Sequence, residues 1–442
     1  MPTPARAEPR LLEGRILRGC NVHHRSTVFT QRVDLRGLAG RGTGDAGVPF
    51  EQALLEAILE VERAVAGTML SSDGPAFATI VRDPSSSRVV DLVWESRSGG
   101  VSRAAARVAL AGVLALTAAG IHPSAPDREG HFGALRTKLE RRARRRRWSP
   151  QAAALAVAAR RRGIPCEPLA GSYLRLGEGA LQRVVSASDP ADSADSILET
   201  AFPVGVPALL PTALIVGERG TGAVGRSLEG LLRASGSAVG LATRQETTVS
   251  GKPVDRNAHG RGAGARFLLG DPRVEKLVCA LSPRTIVARG LRLDHASVAA
   301  VLEPKGGGDP AEYRLGIDVA VAATSGAVIV GAENPHAQRL LEELGPRRVV
   351  LVAARRRAVQ PHLSQEGCAV VLTRSARGET LDLIRSSETL ASVKVASLRS
   401  RSRGVGDRRL RRTMFAIGLA FGLGLSGVEL SSAVEKSQYL RR

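Results

Sequence analysis

Ala213-Leu214-Ile215-Val216-Gly217-Glu218-Arg219-Gly220-Thr221-Gly222-Ala223-Val224-Gly225-Arg226-Ser227 is the stretch around which the rest of the chain is organised. Its first four residues form an apolar strand, glycines follow, and Leu228 to Leu232 carries a helical pattern. A strand that passes through a glycine turn into a helix is the geometry that cradles phosphate. Free backbone N–H groups and the helix N-terminus then point at the anion. A working phosphate loop also needs a lysine for the outer phosphates and a Ser or Thr hydroxyl for magnesium. This stretch contains no lysine. It predicts the shape of a nucleotide site without its chemistry. Gly217, Gly220, Thr221, Gly222, Gly225, Arg226 and Ser227 are the candidate cofactor-binding residues.

Downstream, strands and helices alternate in the manner of an α/β domain with a mostly parallel sheet. Strands are expected at 213–216, 238–241, 276–280, 298–302, 327–331, 348–353 and 368–373, and helices at 226–234, 335–344 and 412–425. Upstream, the pattern is that of an α+β unit. Residues 11–37 read as strands, and a glycine-rich loop spans Gly37 to Gly47. Phe50 to Ala66 is an amphipathic helix with Leu54, Leu55, Ile58, Leu59 and Val61 at helical spacing. Ala76 to Val81 and Val89 to Trp94 alternate like a hairpin joined through Asp83-Pro84-Ser85, and an alanine-rich helix covers Ser102 to Ala119. Ser149 as N-cap with Pro150 at the first helical position opens a helix that closes at Gly163-Ile164-Pro165. Leu174–Gly179 and Gln182–Val185 look like a second hairpin, Ser186 to Thr200 ends in a short helix, and Pro203 to Pro211 is a linker. The expected division is an N-terminal α+β domain over 1–170, a connecting segment over 171–211 and an α/β domain over 212–442.

With 442 residues the chain is long enough for two or three cores. Hydrophobic content is 43% and aromatic content 3%, so those cores are built from Ala, Val and Leu rather than from rings. The net charge of +21 favours contact with a polyanion, an acidic partner or a membrane surface. A GC-rich genome that writes arginine for lysine accounts for the same bias. The densest cluster is Arg141, Arg142, Arg144, Arg145, Arg146 and Arg147, followed by Trp148. It reads either as a polyanion-binding segment with a ring for stacking or as a solvated helix end. Cys20, Cys166, Cys279 and Cys368 are scattered without a CxxC pair, which fits a reducing, cytoplasmic setting. The start of the chain has no apolar signal region. The apolar runs Ala104–Ile121 and Met414–Val428 are at or below spanning length, so buried helices and no membrane contact are expected.

Three further constellations read as structural. Asp294-His295 suggests a surface or cap position. His23-His24 has no carboxylate or cysteine at metal-ligand spacing. Glu333-Asn334-Pro335-His336 follows a strand and suggests a helix cap. Neither a Gly-x-Ser-x-Gly elbow nor a His-Glu-x-x-His pair is present, which removes support for hydrolase chemistry.

Several segments together resemble the cyanophycin synthetases, multidomain members of the Mur-ligase group. Arg18-Gly19-Cys20-Asn21 is similar to that family's Arg-Gly-Pro-Asn. Ala53-Leu54-Leu55-Glu56 through Val65-Ala66-Gly67 is similar to its N-domain helix, without that helix's histidines. Arg162-Gly163-Ile164-Pro165 and Leu174 to Arg183 resemble the entry to its ATP-grasp module. Beyond Val204-Gly205-Val206-Pro207 the Mur-like order resumes. It runs through Leu232–Gly236, Leu268-Leu269-Gly270-Asp271-Pro272-Arg273-Val274-Glu275, Arg289-Gly290-Leu291, Gly326–Val330 with Ala332-Glu333-Asn334-Pro335, and Leu423-Gly424-Leu425-Ser426. The resemblance implies that the body of the ATP-grasp module and the C-terminal Mur domain are missing.

In ungapped register the family's Gly-Thr-Asn-Gly-Lys-Thr falls on Gly217 to Gly222, so Thr221 replaces the phosphate lysine and Gly222 the magnesium hydroxyl. A shifted register, Gly220-x4-Gly225-Arg226-Ser227, makes Arg226 the cation. It requires a shorter helix, and arginine's fork does not reproduce a compact ammonium. The family's metal glutamate falls on Ala280, its downstream acidic and histidine motif near Glu303-Pro304-Lys305-Gly306-Gly307-Gly308, and the asparagine opening its last helix on Arg412. These departures imply a catalytically degenerate protein with no catalytic residues, metal ligands or cofactor of its own. Its role would be to bind an intact ligase, an ATP-grasp partner, or an acidic polymer or peptide, alone or as a homo-oligomer. Two alternatives stay open: an active ATP- and Mg-dependent amide ligase with a rebuilt site, and a nucleic-acid-binding protein working through its arginine cluster.

Overall fold

The computed structural model describes residues 9–19, 21–24, 27–35, 50–66, 78–82, 89–95, 99–118, 149–169, 172–187, 193–254, 263–304, 309–376, 378–395 and 405–437. The chain divides into two compact units. One comprises Met1–Arg18, Ser26–Leu176 and Arg183–Val206, and the other Gly19–Arg25, Gly177–Gln182 and Pro207–Arg442. The segment 171–211 is thus shared between them. The loop at 37–47, the turn at 83–85, Cys20, Lys305–Gly308 and the arginine cluster from Arg141 to Arg147 with Trp148 lie outside the described residues.

The first unit is α+β. Strands β1 (Arg10–Leu17), β2 (Val28–Asp34), β3 (Ala78–Arg82) and β4 (Val89–Glu95) form an antiparallel sheet in the order β1-β2-β4-β3. Helices α1 (Phe50–Ala66) and α2 (Gly99–Ala118) pack on it. Leu54, Ile58 and Val61 share one face of α1 and are buried with Phe29, Leu92, Trp94, Ala105 and Ala109. Phe29 and Trp94 meet with ring centroids 5.1 Å apart. Helix α3 (Pro150–Arg161) starts as its sequence predicts, with the Ser149 hydroxyl accepting from the Ala152 N–H and Pro150 at the first position. Strands β5 (Cys166–Pro168), β6 (Tyr173–Leu176) and β7 (Arg183–Ser186) form a small antiparallel sheet, and α4 (Ala194–Ala201) follows with Ser193 as its cap. The three-residue β5 is too short to show a period in the sequence.

The second unit is α/β. Its strands are β8 (Thr212–Val216), β9 (Val239–Ala242), β10 (Thr247–Val249), β11 (Lys252–Pro253), β12 (Lys276–Leu281), β13 (Val298–Val301), β14 (Val328–Gly331), β15 (Val349–Ala353), β16 (Cys368–Ser375), β17 (Gly378–Arg385) and β18 (Glu388–Lys394). They form one 11-stranded sheet in the order β11-β10-β9-β12-β8-β13-β14-β15-β16-β17-β18. The strands from β9 to β16 in that order are parallel, while β10, β11, β17 and β18 add antiparallel borders. Strand β8 shows why the interior is parallel. Every residue from Thr212 to Val216 is buried, as a strand covered on both faces requires. Ala213 and Ile215 enter one core with α5 (Thr221–Ala234), α11 (Val405–Gly422) and α12 (Gly427–Lys436). Leu214 and Val216 enter the opposite core with α6 (Ala263–Leu269), α7 (Pro283–Arg289) and α8 (Pro310–Ala322). Helices α9 (Ala337–Leu344) and α10 (Gln360–Leu363) extend that second layer.

Helix α5 starts at Thr221, five residues before the expected start. Three glycines lower its propensity, and packing of Val224, Leu228, Leu231 and Leu232 overrides that. Helix α11 starts at Val405 rather than at Arg412, because its arginine-rich first half is held by Leu410 and Met414 in the core. Strands β10, β11, β17 and β18 and helices α6, α7, α8, α10 and α12 are additions to the expected elements. Among the described residues no helix is long and apolar enough to cross a membrane, and Cys166, Cys279 and Cys368 are free thiols.

Glu62 lies on α1 and is only 6% exposed, with no hydrogen-bond partner for its Oε1. Burial pushes its carboxyl above the usual carboxylate range, opposed in part by Ser102 and Trp94. The neutral acid is therefore favoured in the folded state, and its contribution fades as pH rises from the unfolded value through the raised folded one. Glu62→Gln is expected to flatten the decline in stability as pH rises above the ordinary carboxylate range. It should raise the melting temperature at pH 8 by about 2–4 °C, measured by thermal unfolding across a pH series.

Candidate functional site

From β8 the chain passes through α5 to β9 on one side, returns to place β12 between β9 and β8, and then crosses to β13 and outward to β16. The carboxyl ends of β8 and β13 therefore flank the point where the direction of winding reverses. In open α/β sheets that crevice is where ligands bind. The loop Gly217–Gly220 lies at this edge.

Gly217 continues β8, and its N–H donates to the Leu281 carbonyl at 3.2 Å. A Cβ at Gly217 would stand 2.8 Å from Leu302 Cβ, so the end of β13 requires a glycine there. Gly220 takes φ +77° as the N-cap of α5 and offers no capping side chain. Thr221, Gly222 and Ala223 form the first turn, whose N–H groups lack an intrahelical acceptor. A Cβ at Gly222 would meet Thr243 at an ordinary 3.8 Å, whereas one at Gly225 would press on Leu241 at 3.0 Å. Arg226 donates through Nη1 to Glu246 Oε1 at 2.6 Å, in the loop after β9. The Ser227 hydroxyl donates to the Ala223 carbonyl at 3.0 Å along its own helix. The candidate residues thus share one turn, with Arg226 and Ser227 engaged by other protein groups.

The far wall of the crevice was not visible from sequence alone. Asp309 accepts from the Ala311 N–H at 2.9 Å and Pro310 opens α8, a start signal as plain as that at Ser149. That helix carries Tyr313, which is 3% exposed and whose hydroxyl donates to the Leu302 carbonyl. Asn334 Nδ2 donates to the same carbonyl at 3.2 Å. Burial pushes the Tyr313 phenol well above its usual range, with Glu218 and Glu303 adding to the rise. His336 stacks on Tyr313 with ring centroids 5.4 Å apart, and burial lowers its imidazole. From α11, Arg411 pairs with Glu303 after β13 and approaches Glu333 after β14 at 3.9 Å. The crevice is bordered by Glu218, Glu303 and Glu333 with one guanidinium across two of them.

Several expectations change here. Arg412 lies within α11, and its neighbour Arg411 makes the contact across the crevice. Ala280 is buried within β12, 3% exposed, and its side chain belongs to the apolar core. Asp294 is exposed, as expected, whereas His295 is half-buried. Its Nε2 lies 3.3 Å from the Leu210 carbonyl and 3.7 Å from Glu178, and burial lowers its pKa. The segment Glu333–His336 does supply the N-cap of α9, at its last residue. Asn334 Oδ1 accepts the His336 N–H at 3.0 Å, and His336 is the N-cap without a capping bond. Asn21 organises the His23-His24 turn by accepting both N–H groups, at 3.0 and 3.1 Å. Among the described residues no group of three or more His, Cys, Asp or Glu side chains is placed to hold a metal ion.

No family model matches this chain, and no curated protein matches it. Solved structures do. One is a UDP-N-acetylmuramoyl-L-alanyl-D-glutamate–2,6-diaminopimelate ligase, at 12% identity and a TM-score of 0.39, over 55% of this chain and 48% of that one. A second is the Mycobacterium tuberculosis folylpolyglutamate synthase complexed with ADP and AMPPCP, at 12% and 0.33, over 51% of this chain and 58% of that one. A third is a point mutant of the L. casei FPGS, at 13% and 0.33, over 52% and 63%. The chain spans about half to just under two thirds of the length of each.

The two loop glycines are required for different reasons, which substitution separates. Gly220→Asn should be tolerated better than Gly220→Val, because asparagine adopts the left-handed conformation and a β-branched residue does not. At Gly217 both asparagine and valine should cost more than about 2 kcal/mol, because the clash is with Leu302 and not with φ. Chemical denaturation of the four variants tests this.

Proposed function

We propose that this chain is a Mur-ligase-like protein, related to the cyanophycin synthetases, that keeps the architecture of an ATP-dependent amide ligase and works by binding rather than catalysis. The supporting observation is how the side chains of the β8–α5 turn are engaged. Thr221 and Gly222 occupy the positions of the phosphate lysine and magnesium hydroxyl in ungapped register, and the helix start at Thr221 favours that register over the shifted one. Arg226 and Ser227, which would have to replace them, are held by Glu246 and by the Ala223 carbonyl. Glu218 adds a carboxylate within the loop, opposed to polyphosphate. Phosphoryl transfer needs cationic clamps and magnesium on the outer phosphates. These residues do not fit Mg-ATP, and no catalytic step is assigned to them.

An acidic partner suits the same unit. Arg355, Arg356 and Arg357 follow β15 at the carboxyl edge, all exposed and with no carboxylate within ion-pair distance among the described residues. An acidic polymer, an acidic peptide or the acidic face of an intact ligase would supply the missing charge.

Calorimetry with ATP and ADP, with and without magnesium, tests the reading. The chain is expected to give no magnesium-dependent heat. Thr221→Lys combined with Gly222→Thr, for which Gly222 has space, should gain nucleotide affinity. Magnesium-dependent ATP binding by the unaltered chain, abolished by changing Arg226 and Ser227, would instead establish the rebuilt ligase site.

A further inference from the structure

The first unit contains a cavity of about 600 Å³ between β1 and α2, lined by Leu11, Leu110, Ala111 and Leu114 together with Arg103 and Arg107. That volume is in the range of small-molecule sites. Its polarity is segregated. Arg103, Arg107, Leu110, Ala111 and Leu114 recur at helical spacing and form one stripe of α2. The two guanidiniums lie toward the start of the helix and the leucines toward its end. Arg107 to Leu114 spans about 10 Å of helix, the reach of a medium-length alkyl chain.

Two charge relations make the head end suited to an anion. Arg103 and Arg107 are both exposed at i and i+4, neighbouring positions on the helix surface from which two guanidiniums can reach one anion. Arg107 has no carboxylate within ion-pair distance among the described residues, whereas Arg10, at the rim, already faces Asp34 at 3.6 Å. The floor is closed by Gln31, 2% exposed, whose Nε2 donates to the Arg32 carbonyl at 3.0 Å and to the Leu12 carbonyl at 3.4 Å.

Strand β1 is the edge of its sheet, so a peptide could in principle pair with it. The register break between Leu11 and Gly14 interrupts that edge beside the cavity, which disfavours strand addition. We propose that this cavity binds an amphipathic anion, a single carboxylate or phosphate head on an apolar chain, with the head at Arg103 and Arg107 and the chain along Leu11, Leu110 and Leu114. The site lies in the first unit and is independent of the nucleotide-loop reading.

Calorimetry of the full chain with decanoate, decyl phosphate and the neutral control decanol, each below its aggregation limit, tests it. One site per chain is expected for at least one anion, with decanol weaker by about tenfold or more. Whichever anion binds more tightly identifies the head group. Arg107→Glu and Ala111→Trp should each weaken the anion by about tenfold with circular dichroism unchanged, and Arg107→Gln serves if the charge reversal does not fold. Equal binding of decanol, no binding of either anion, or insensitivity to these substitutions overturns the proposal. Binding of an acidic strand-forming peptide in place of decanoate overturns it in favour of strand addition.

Discussion

Strand β8 has nowhere to expose a side chain or leave a peptide group unpaired, and the second unit is built around meeting that requirement. Its backbone is satisfied on one side by β12 and on the other by β13, both in parallel register. Each parallel neighbour needs a crossover, and the crossovers supply the helices that cover the two faces. The reversal of winding beside β8 follows from that wiring, and so does the crevice at its carboxyl end. The location of the candidate site is thus a consequence of burial before any polar residue is considered.

Within the crevice the same economy applies to polar groups. Leu302 is the hub: its carbonyl accepts from both Tyr313 and Asn334, and its side chain sets the closeness of Gly217. Glu303 and Glu333 would repel each other across the ends of β13 and β14, and Arg411 reaches from α11 to offset them. Glu229, a carboxylate behind the crevice, is handled differently. It is 2% exposed on α5 and accepts from the Thr248 hydroxyl at 3.0 Å and the Gly251 N–H at 2.8 Å, tying the β10–β11 turn to the helix. Burial raises its pKa against those bonds.

Much of the architecture was legible in the sequence because apolar runs and caps are local signals. The parallel strands were found to within a residue or two, and α1 and α3 were marked by periodicity and by Ser149-Pro150. What was missed depends on distant partners. Arg411 reads as one arginine among many until α11 is folded against β13 and β14. The helix α5 begins in a glycine-rich segment whose low propensity only tertiary packing overcomes. In the hairpin β17–β18, Leu381, Asp382, Leu383 and Ile384 of β17 are buried in succession, which erases the alternation that marks a strand in sequence. The strand-to-helix glycine turn that carries Thr221 and Gly222 was readable directly, whereas the engagement of Arg226 by Glu246 required the fold.

The borders of the large sheet carry a consequence for assembly. At one end β11 is two residues long and finishes at Pro253, which has no N–H to offer a neighbour. At the other, β18 follows a register break between Leu383 and Ile384 and presents Glu388 and Lys394. Both rims are poor templates for another strand, so the sheet ends where it does and resists edge-to-edge stacking between copies. What remains accessible on this unit is the tips of its strands and the outer faces of its helices, where the surface is made of side chains and is open to adjustment one residue at a time.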